Sequence, residues 1–322
     1  MLVNIVILLV LLLLVLLFGW LAWRAWHAGK VWVKWVGGIL SSLLTLAFAA
    51  VIAAILVGFY RMNVSPYQYS DADINVAMTP EQIAIGERYA HGCAGCHSTT
   101  GSIPLDGSKD NFLEGSPMGT LYAPNLTPAG QLKDWTDAEI IRAIREGVDK
   151  DGRPLVIMPS PAFHNLSDAD VQAIVAYLRS QPAVEHATPE RDLTVVAAAF
   201  LAVNPSVISA QPAILQPVVA PQPGSAEYGG YLARAMGCGD CHGPNLAGQT
   251  DSGGPPGPNL TVIVPNWSEE DFMNVFNKGV APSGDALSDE MPWKDYRQMF
   301  TDEQLKDLYS YLHGLAPVVS SQ

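Results

Sequence analysis

The sequence predicts an all-α chain in which two N-terminal transmembrane helices precede two tandem copies of one small helical module. Three observations carry that expectation. The first 61 residues hold no Asp or Glu and contain two long apolar stretches, all four cysteines fall in two C-x-x-C-H motifs, and a series of landmarks follows each motif in the same order. A length of 322 residues suits two domains of ordinary size plus a membrane anchor.

Taken in order, the anchor comes first. Leu2 to Trp23 and Trp35 to Tyr60 are uncharged and apolar, each long enough to meet the roughly 20 residues a helix needs to cross a hydrocarbon core. Arg24, His27, Lys30 and Lys34 sit in the short connection, whereas Arg61 alone follows the second stretch and the next charges, Asp71 and Asp73, are acidic. The positive-inside rule then places the connection in the cytoplasm and everything after Arg61 outside, a multi-pass arrangement in the cytoplasmic (inner) membrane with the modules on its periplasmic or extracellular side. Five tryptophans, Trp20, Trp23, Trp26, Trp32 and Trp35, gather at the connection, the depth that amphipathic indoles prefer. A cleaved signal peptide is the competing reading of the first stretch. It would want a cationic start and a small-residue cleavage site, which that stretch lacks; Ala47-Phe48-Ala49 offers such a site only in the second. Retention of both spans is the expectation, with residues 1–61 as anchor. No charge lies inside either span, so nothing marks an ion path.

Residues 62–322 carry 14 Lys and Arg against all 31 acidic residues, a formal charge of −17. Such a surface repels nucleic acid and favours a cationic protein partner, although acidity also serves plain solubility.

In Cys93-Ala94-Gly95-Cys96-His97 and Cys238-Gly239-Asp240-Cys241-His242, the two thiols of each motif add across the vinyl groups of a haem and the histidine lies beneath its iron, so the spacing reads as attachment of two covalently bound haem c groups. A four-cysteine zinc centre and a thioredoxin-like redox pair are the alternatives; neither requires a histidine after both pairs. The repeat extends well beyond the motifs. Pro124-Asn125-Leu126-Thr127, Trp135, Gly147-Val148, Met158-Pro159 and Tyr177-Leu178 recur as Pro258-Asn259-Leu260-Thr261, Trp267, Gly279-Val280, Met291-Pro292 and Tyr311-Leu312. The offset is 145 at the cysteines and 132 to 134 afterwards, so copy one has a longer loop just after its motif.

Each copy carries three helix signatures. Thr79-Pro80-Glu81-Gln82 is an N-cap with Pro at the first helical position and a capping-box Gln, matched by Ser225-Ala226-Glu227. Middle helices begin at Thr136 or Ser268 and end before Gly147 or Gly279. Last helices begin at Ser167 or Thr301 and space Val171, Ile174, Val175 and Leu178, or Leu305, Leu308, Tyr309 and Leu312, on one face. The expected division is an anchor at 1–61, a first domain at 62–184, a Pro-rich linker at 185–223 and a second domain at 224–322. Within the linker, Thr194 to Val203 is an apolar run too short to span a bilayer; it packs as a short helix on a module, a partner or the membrane surface, and the Pro-rich remainder is a semi-rigid spacer or a flexible tether.

With these residues in place, both modules resemble class I cytochrome c domains, over roughly residues 76–184 and 224–317. The resemblance implies that first and last helices cross beside the haem, with Tyr177 and Tyr311 at the crossing. It also implies His97 and His242 as proximal ligands, the carbonyls of Pro124 and Pro258 accepting a hydrogen bond from each imidazole, and a Met from a late loop on the far side of the iron. Met158 and Met291 fit that last role because they occupy matching places; Met118 and Met299 are the rivals, and His164 could replace Met158 and lower its potential. Two six-coordinate irons leave outer-sphere electron transfer as the chemistry, with no catalytic residue.

The order of anchor and two haems is similar to the dihaem subunit of high-affinity haem-copper oxidases and to cytochrome subunits of periplasmic dehydrogenases. It departs from the first in its tightly spaced spans and the long loop of copy one, and from the second in having two modules where three are common. The expected partners are the lipid bilayer and redox proteins, among them other subunits of a respiratory or photosynthetic complex; a dihaem peroxidase is the reading from another class.

Overall fold

The computed structural model describes residues 2–69, 74–249, 256–288 and 290–318; Asp71 and Asp73 lie outside them. The apolar start folds as two long helices, α1 (Leu2–Trp26) and α2 (Gly38–Asn63), joined through a π-helical turn at Val33–Gly37. The first runs one turn beyond the apolar stretch because nothing in Arg24-Ala25-Trp26 breaks a helix. The two pack as a hairpin with Phe18 stacked on Phe48 and the Trp26 indole N–H donating to Ser42 Oγ. Both are long and apolar enough to cross a membrane.

Module one contains α3 (Pro80–His97), α4 (Asp137–Glu146), the short α5 (Ser160–Phe163) and α6 (Asp168–Ser180); α7 (Val195–Val203) lies in the linker. Module two contains α8 (Ala226–Ala235), α9 (Cys238–His242), α10 (Leu260–Ile263), α11 (Glu269–Lys278), α12 (Trp293–Met299) and α13 (Asp302–His313). The ends are where side-chain chemistry puts them. Thr136, Ser268 and Thr301 close capping boxes, and Gly147 and Gly279 terminate α4 and α11 at φ 66° and 65°, a conformation glycine adopts without steric cost. At Thr79 the hydroxyl accepts from Gln82 N, but Gln82 Oε1 accepts from that hydroxyl and not from the Thr79 backbone N–H, so the expected box is half made. The copies diverge at the haem motif. It continues α3 without interruption, whereas Gly237 at φ 71° separates α8 from α9.

Each module is built on one close helix crossing. A Cβ on Gly86 of α3 would stand 1.9 Å from the Ala173 carbonyl oxygen on α6, and one on Gly229 of α8 would stand 2.0 Å from that of Asp307 on α13. Tyr177 packs its Cβ against Gly86 and Tyr311 its ring against Gly230, so both tyrosines sit at the crossings as the family resemblance implies.

The longer loop of copy one and the linker bind module one to the hairpin. Strand β1 (Gly119–Thr120) in that loop pairs antiparallel with β2 (Asp192–Leu193), Gly119 opposite Leu193. Behind this ladder Leu121 and Leu193 are buried with Ile55 and Met62 of α2 and with Val195, Ala198 and Leu201 of α7, and Met118 packs on the same cluster. The loop is also braced internally: the Asp106 carboxylate accepts from Thr99 N and Oγ1 at 2.8 and 2.7 Å. Desolvation pushes this carboxyl up, but those hydrogen bonds outweigh it and leave the group below the ordinary carboxylate range.

The two modules share an interface. The Tyr231 hydroxyl of α8 accepts from Ser167 N at 2.9 Å and donates to the Asp170 carboxylate at the start of α6. Burial, with the Asp170 charge adding to it, pushes the Tyr231 phenol up, so it stays protonated and keeps donating.

Gly86→Val or Gly229→Val drives a side chain into backbone at the crossing and costs its own module about 1–3 kcal/mol or more, measurable by denaturant unfolding followed through haem absorbance. Tyr231→Phe strands the Ser167 N–H and removes one of the two hydrogen bonds to Asp170 Oδ2, weakens the interface by about 1–3 kcal/mol, and separates the two modules' unfolding transitions. Because the folded Asp106 carboxyl lies below its unfolded value, its contribution is complete above the unfolded pKa of about 3.9 and is lost as pH falls through the folded one; the stability gap between wild type and Asp106→Asn therefore closes on acidification.

Candidate haem sites

Both C-x-x-C-H histidines are buried, each 8% exposed, and hold the same bond: His97 Nδ1 lies 2.9 Å from the Pro124 carbonyl oxygen and His242 Nδ1 2.9 Å from that of Pro258. A carbonyl only accepts, so Nδ1 carries the proton and Nε2 keeps its lone pair for a metal. Burial lowers both imidazole pKa values, the carbonyl bonds opposing it, so the rings are neutral at pH 7. Burial also pushes the Cys93 and Cys238 thiols up to about 12. Such thiols are poor thiolate donors, which disfavours zinc binding. Among the described residues no three His, Cys, Asp or Glu side chains converge as a metal-binding group.

The residues after each proline hold its carbonyl in place, a role that sequence reasoning missed although it saw the repeat. Asn125 Nδ2 donates to Val184 O and His186 O, while its Oδ1 accepts from Thr127 N and Oγ1. In copy two Asn259 Nδ2 donates to Val318 O and its Oδ1 accepts from Thr261 Oγ1. In each module the segment after the last helix is thereby stitched to the loop that faces the histidine. Only a residue without a side chain fits at 257, where a Cβ would lie 2.4 Å from Cys241 O and 2.9 Å from His242 Nδ1.

A cavity of about 300 Å³ opens beside His97, with Cys93, Met158, Ile174 and Leu178 among its walls. Its size and apolar lining are those of a small-molecule site. Thiol, neutral imidazole and thioether thus face one apolar space, a donor set that fits a haem. Module two supplies much of the opposite wall through Met236, Asp240, Cys241, Tyr296 and Met299. The second haem motif therefore borders the first cavity.

Met158 is delivered by a strained and braced loop. Ile157 before it has φ 72°, a conformation that costs an L-residue about 1–2 kcal/mol. The linker holds it there: Ile157 N donates to Val207 O, Ser209 Oγ donates to Met158 O, and Val156 bridges Ile208. Met291 is half-buried against the core of module two and, among the described residues, has no such brace from the linker. The rivals lie elsewhere. Met118 packs on the membrane hairpin cluster, Met299 lines the first cavity across the module interface, and His164 Nδ1 bonds the Arg145 carbonyl oxygen.

Comparison with known proteins agrees with this geometry. The Cytochrome c family model matches residues 83–182 and 226–316. The chain is 28% identical over 311 residues to the cytochrome c subunit of alcohol dehydrogenase (quinone) from Gluconacetobacter polyoxogenes, covering 87% of this chain and 63% of that one. It is 32% identical over 159 residues to the gluconate 2-dehydrogenase cytochrome c subunit of Pantoea cypripedii, 47% of this chain and 35% of that one. The fructose dehydrogenase cytochrome subunit of Gluconobacter japonicus is 25% identical over 257 residues, 69% of this chain and 50% of that one. The chain thus spans less than two thirds of the length of each of these relatives. Two matches of one family model on one chain, each containing a C-x-x-C-H motif beside a buried imidazole, show that the chain belongs to the cytochrome c family and carries two covalently bound haem c groups.

Proposed function

We propose that this chain is a membrane-anchored electron-transfer subunit that receives electrons from a dehydrogenase outside the cytoplasmic membrane and passes them to a membrane-associated acceptor. The observation that supports this most is the pairing of an imidazole and a thioether on one apolar cavity; ligation by both would leave iron no open position for substrate. Of the two kinds of complex that the sequence suggests, the relatives favour the dehydrogenase, since those above are named as cytochrome subunits of dehydrogenases.

In this reading Cys93 and Cys96 would hold the first haem and Cys238 and Cys241 the second, with His97 and Met158, and His242 and Met291, as the side chains that would bind iron. Bound there, each haem supplies reversible one-electron chemistry at iron. Pro124 and Pro258 orient the imidazoles and raise their donor strength, while the thioethers favour the reduced iron and raise the potential. Ile144, Leu126, Phe163 and Leu166 keep water from the first cavity. In the same reading 1–61 is the anchor, 62–184 the first domain, 185–223 the linker and 224–322 the second domain, with α2 running two residues past the first boundary.

The chain's own contacts favour an outward orientation. Module one sits at the end of the hairpin that carries Asn4 and Arg61, through Asn4 Nδ2 to Leu193 O and Arg61 Nη1 to Ala202 O. Arg24, Lys30 and Lys34 are at the opposite end, where the positive-inside rule puts the cytoplasm of a multi-pass inner-membrane protein.

Near-infrared magnetic circular dichroism of the oxidised protein tests the ligand set. Two methionine-to-iron charge-transfer bands are expected, with one lost in Met158→Ala and the other in Met291→Ala. A wild-type spectrum with one high-spin iron would favour the peroxidase instead.

A further inference from the structure

Helix α7 meets the hairpin at both ends and along its middle. At its start Thr194 caps the N–H groups of Val196 and Ala197, and Asn4 Oδ1 accepts from Val195 N at 3.1 Å. At its finish Arg61 Nη1 donates to Ala202 O at 2.6 Å. Between these points a Cβ on Gly58 of α2 would stand 1.7 Å from the Ala198 carbonyl oxygen. The buried face of α7 rests on Ile55 of α2 and on Ile7, Leu8 and Leu11 of α1, so it lies within about 14 Å of the ends of both helices at 1.5 Å per residue.

The other face is uncovered by the described residues. Val196, Phe200 and Val203 follow helical spacing and are 42%, 41% and 73% exposed. No charged residue occurs from Thr194 to Ala210. The apolar face continues directly into the exposed apolar surface of the hairpin, where Val6, Leu9, Leu56 and Val57 are all exposed. Nine residues cannot span a bilayer, but a short helix whose end groups are capped can lie in apolar surroundings without stranding its backbone.

We propose that α7 is embedded in the outer leaflet, with Val196, Phe200 and Val203 against lipid acyl chains. This rests on the reading that α1 and α2 span the membrane. The embedded helix sets the height of the first haem module. It is joined through β2 to the loop after the first haem motif, and through Val207 and Ser209 to the Met158 loop.

All native cysteines lie in the haem motifs, so single added cysteines can be spin-labelled selectively. We would place labels at Val196→Cys, Phe200→Cys and Val203→Cys in the full chain, reduced so that both irons are diamagnetic, in phosphatidylcholine nanodiscs. Leu13→Cys and Leu46→Cys serve as span controls and Glu303→Cys as the aqueous control. The expected result is loss of relaxation by a water-soluble nickel chelate and gain of relaxation by oxygen at all three positions, as in the spans. Chelate access at these positions with lipid-like controls overturns the inference alone, and shielding from both reagents overturns it in favour of a protein partner. Chelate access at Leu13→Cys and Leu46→Cys overturns the spanning reading, and the inference with it.

Discussion

The hydrogen bond from a buried imidazole to a proline carbonyl is the constraint around which each module is arranged. At 2.9 Å in both copies it fixes the tautomer, leaves the Nε2 lone pair available for a metal, and keeps a polar group satisfied inside an apolar wall. It survives very different chain lengths, since Pro124 follows His97 by 27 residues and Pro258 follows His242 by 16. What stays constant is the bracing. A side-chain amide and a threonine hydroxyl tie the proline loop to the segment after the last helix. The glycine at each helix crossing then brings the first and last helices close enough to close the core behind the haem.

The duplication is not symmetrical in use. Copy one spends its extra loop on the membrane hairpin, and its methionine loop is clamped by the linker. Among the described residues copy two has neither device. It faces copy one through Tyr231 and Asp170 and lends Tyr296 and Met299 to the first cavity. The first site is therefore fixed from below by the anchor and closed from the side by the second module. The order of anchor, first module and second module gives the molecule a direction, from a membrane end to a free end.

Much of this was legible in the sequence, because local chemistry decides it. Caps at Thr136, Ser167 and Thr301, the left-handed glycines 147 and 279, and the two thiol–imidazole motifs are all short-range signals, and the repeat made them mutually supporting. The placement of the methionines depended on long-range packing. Position in the repeat singled out Met158, which lies on the first cavity; nothing local indicated that Met299 would line that same cavity from the other module or that Met118 would pack on the anchor. The linker was the least legible part. Whether α7 would rest on a module, a partner or the membrane turned on Asn4 and Arg61, 191 and 141 residues away from the backbone groups they meet.

The most direct test of the central constraint is nuclear magnetic resonance of the reduced protein with ¹⁵N-labelled histidine. Of the seven histidines, two should show Nε2 resonances displaced by iron binding together with Nδ1 protons that exchange slowly with water. A single such histidine, or two whose Nδ1 protons exchange freely, would contradict the arrangement of buried, carbonyl-bound imidazoles on which both sites are built.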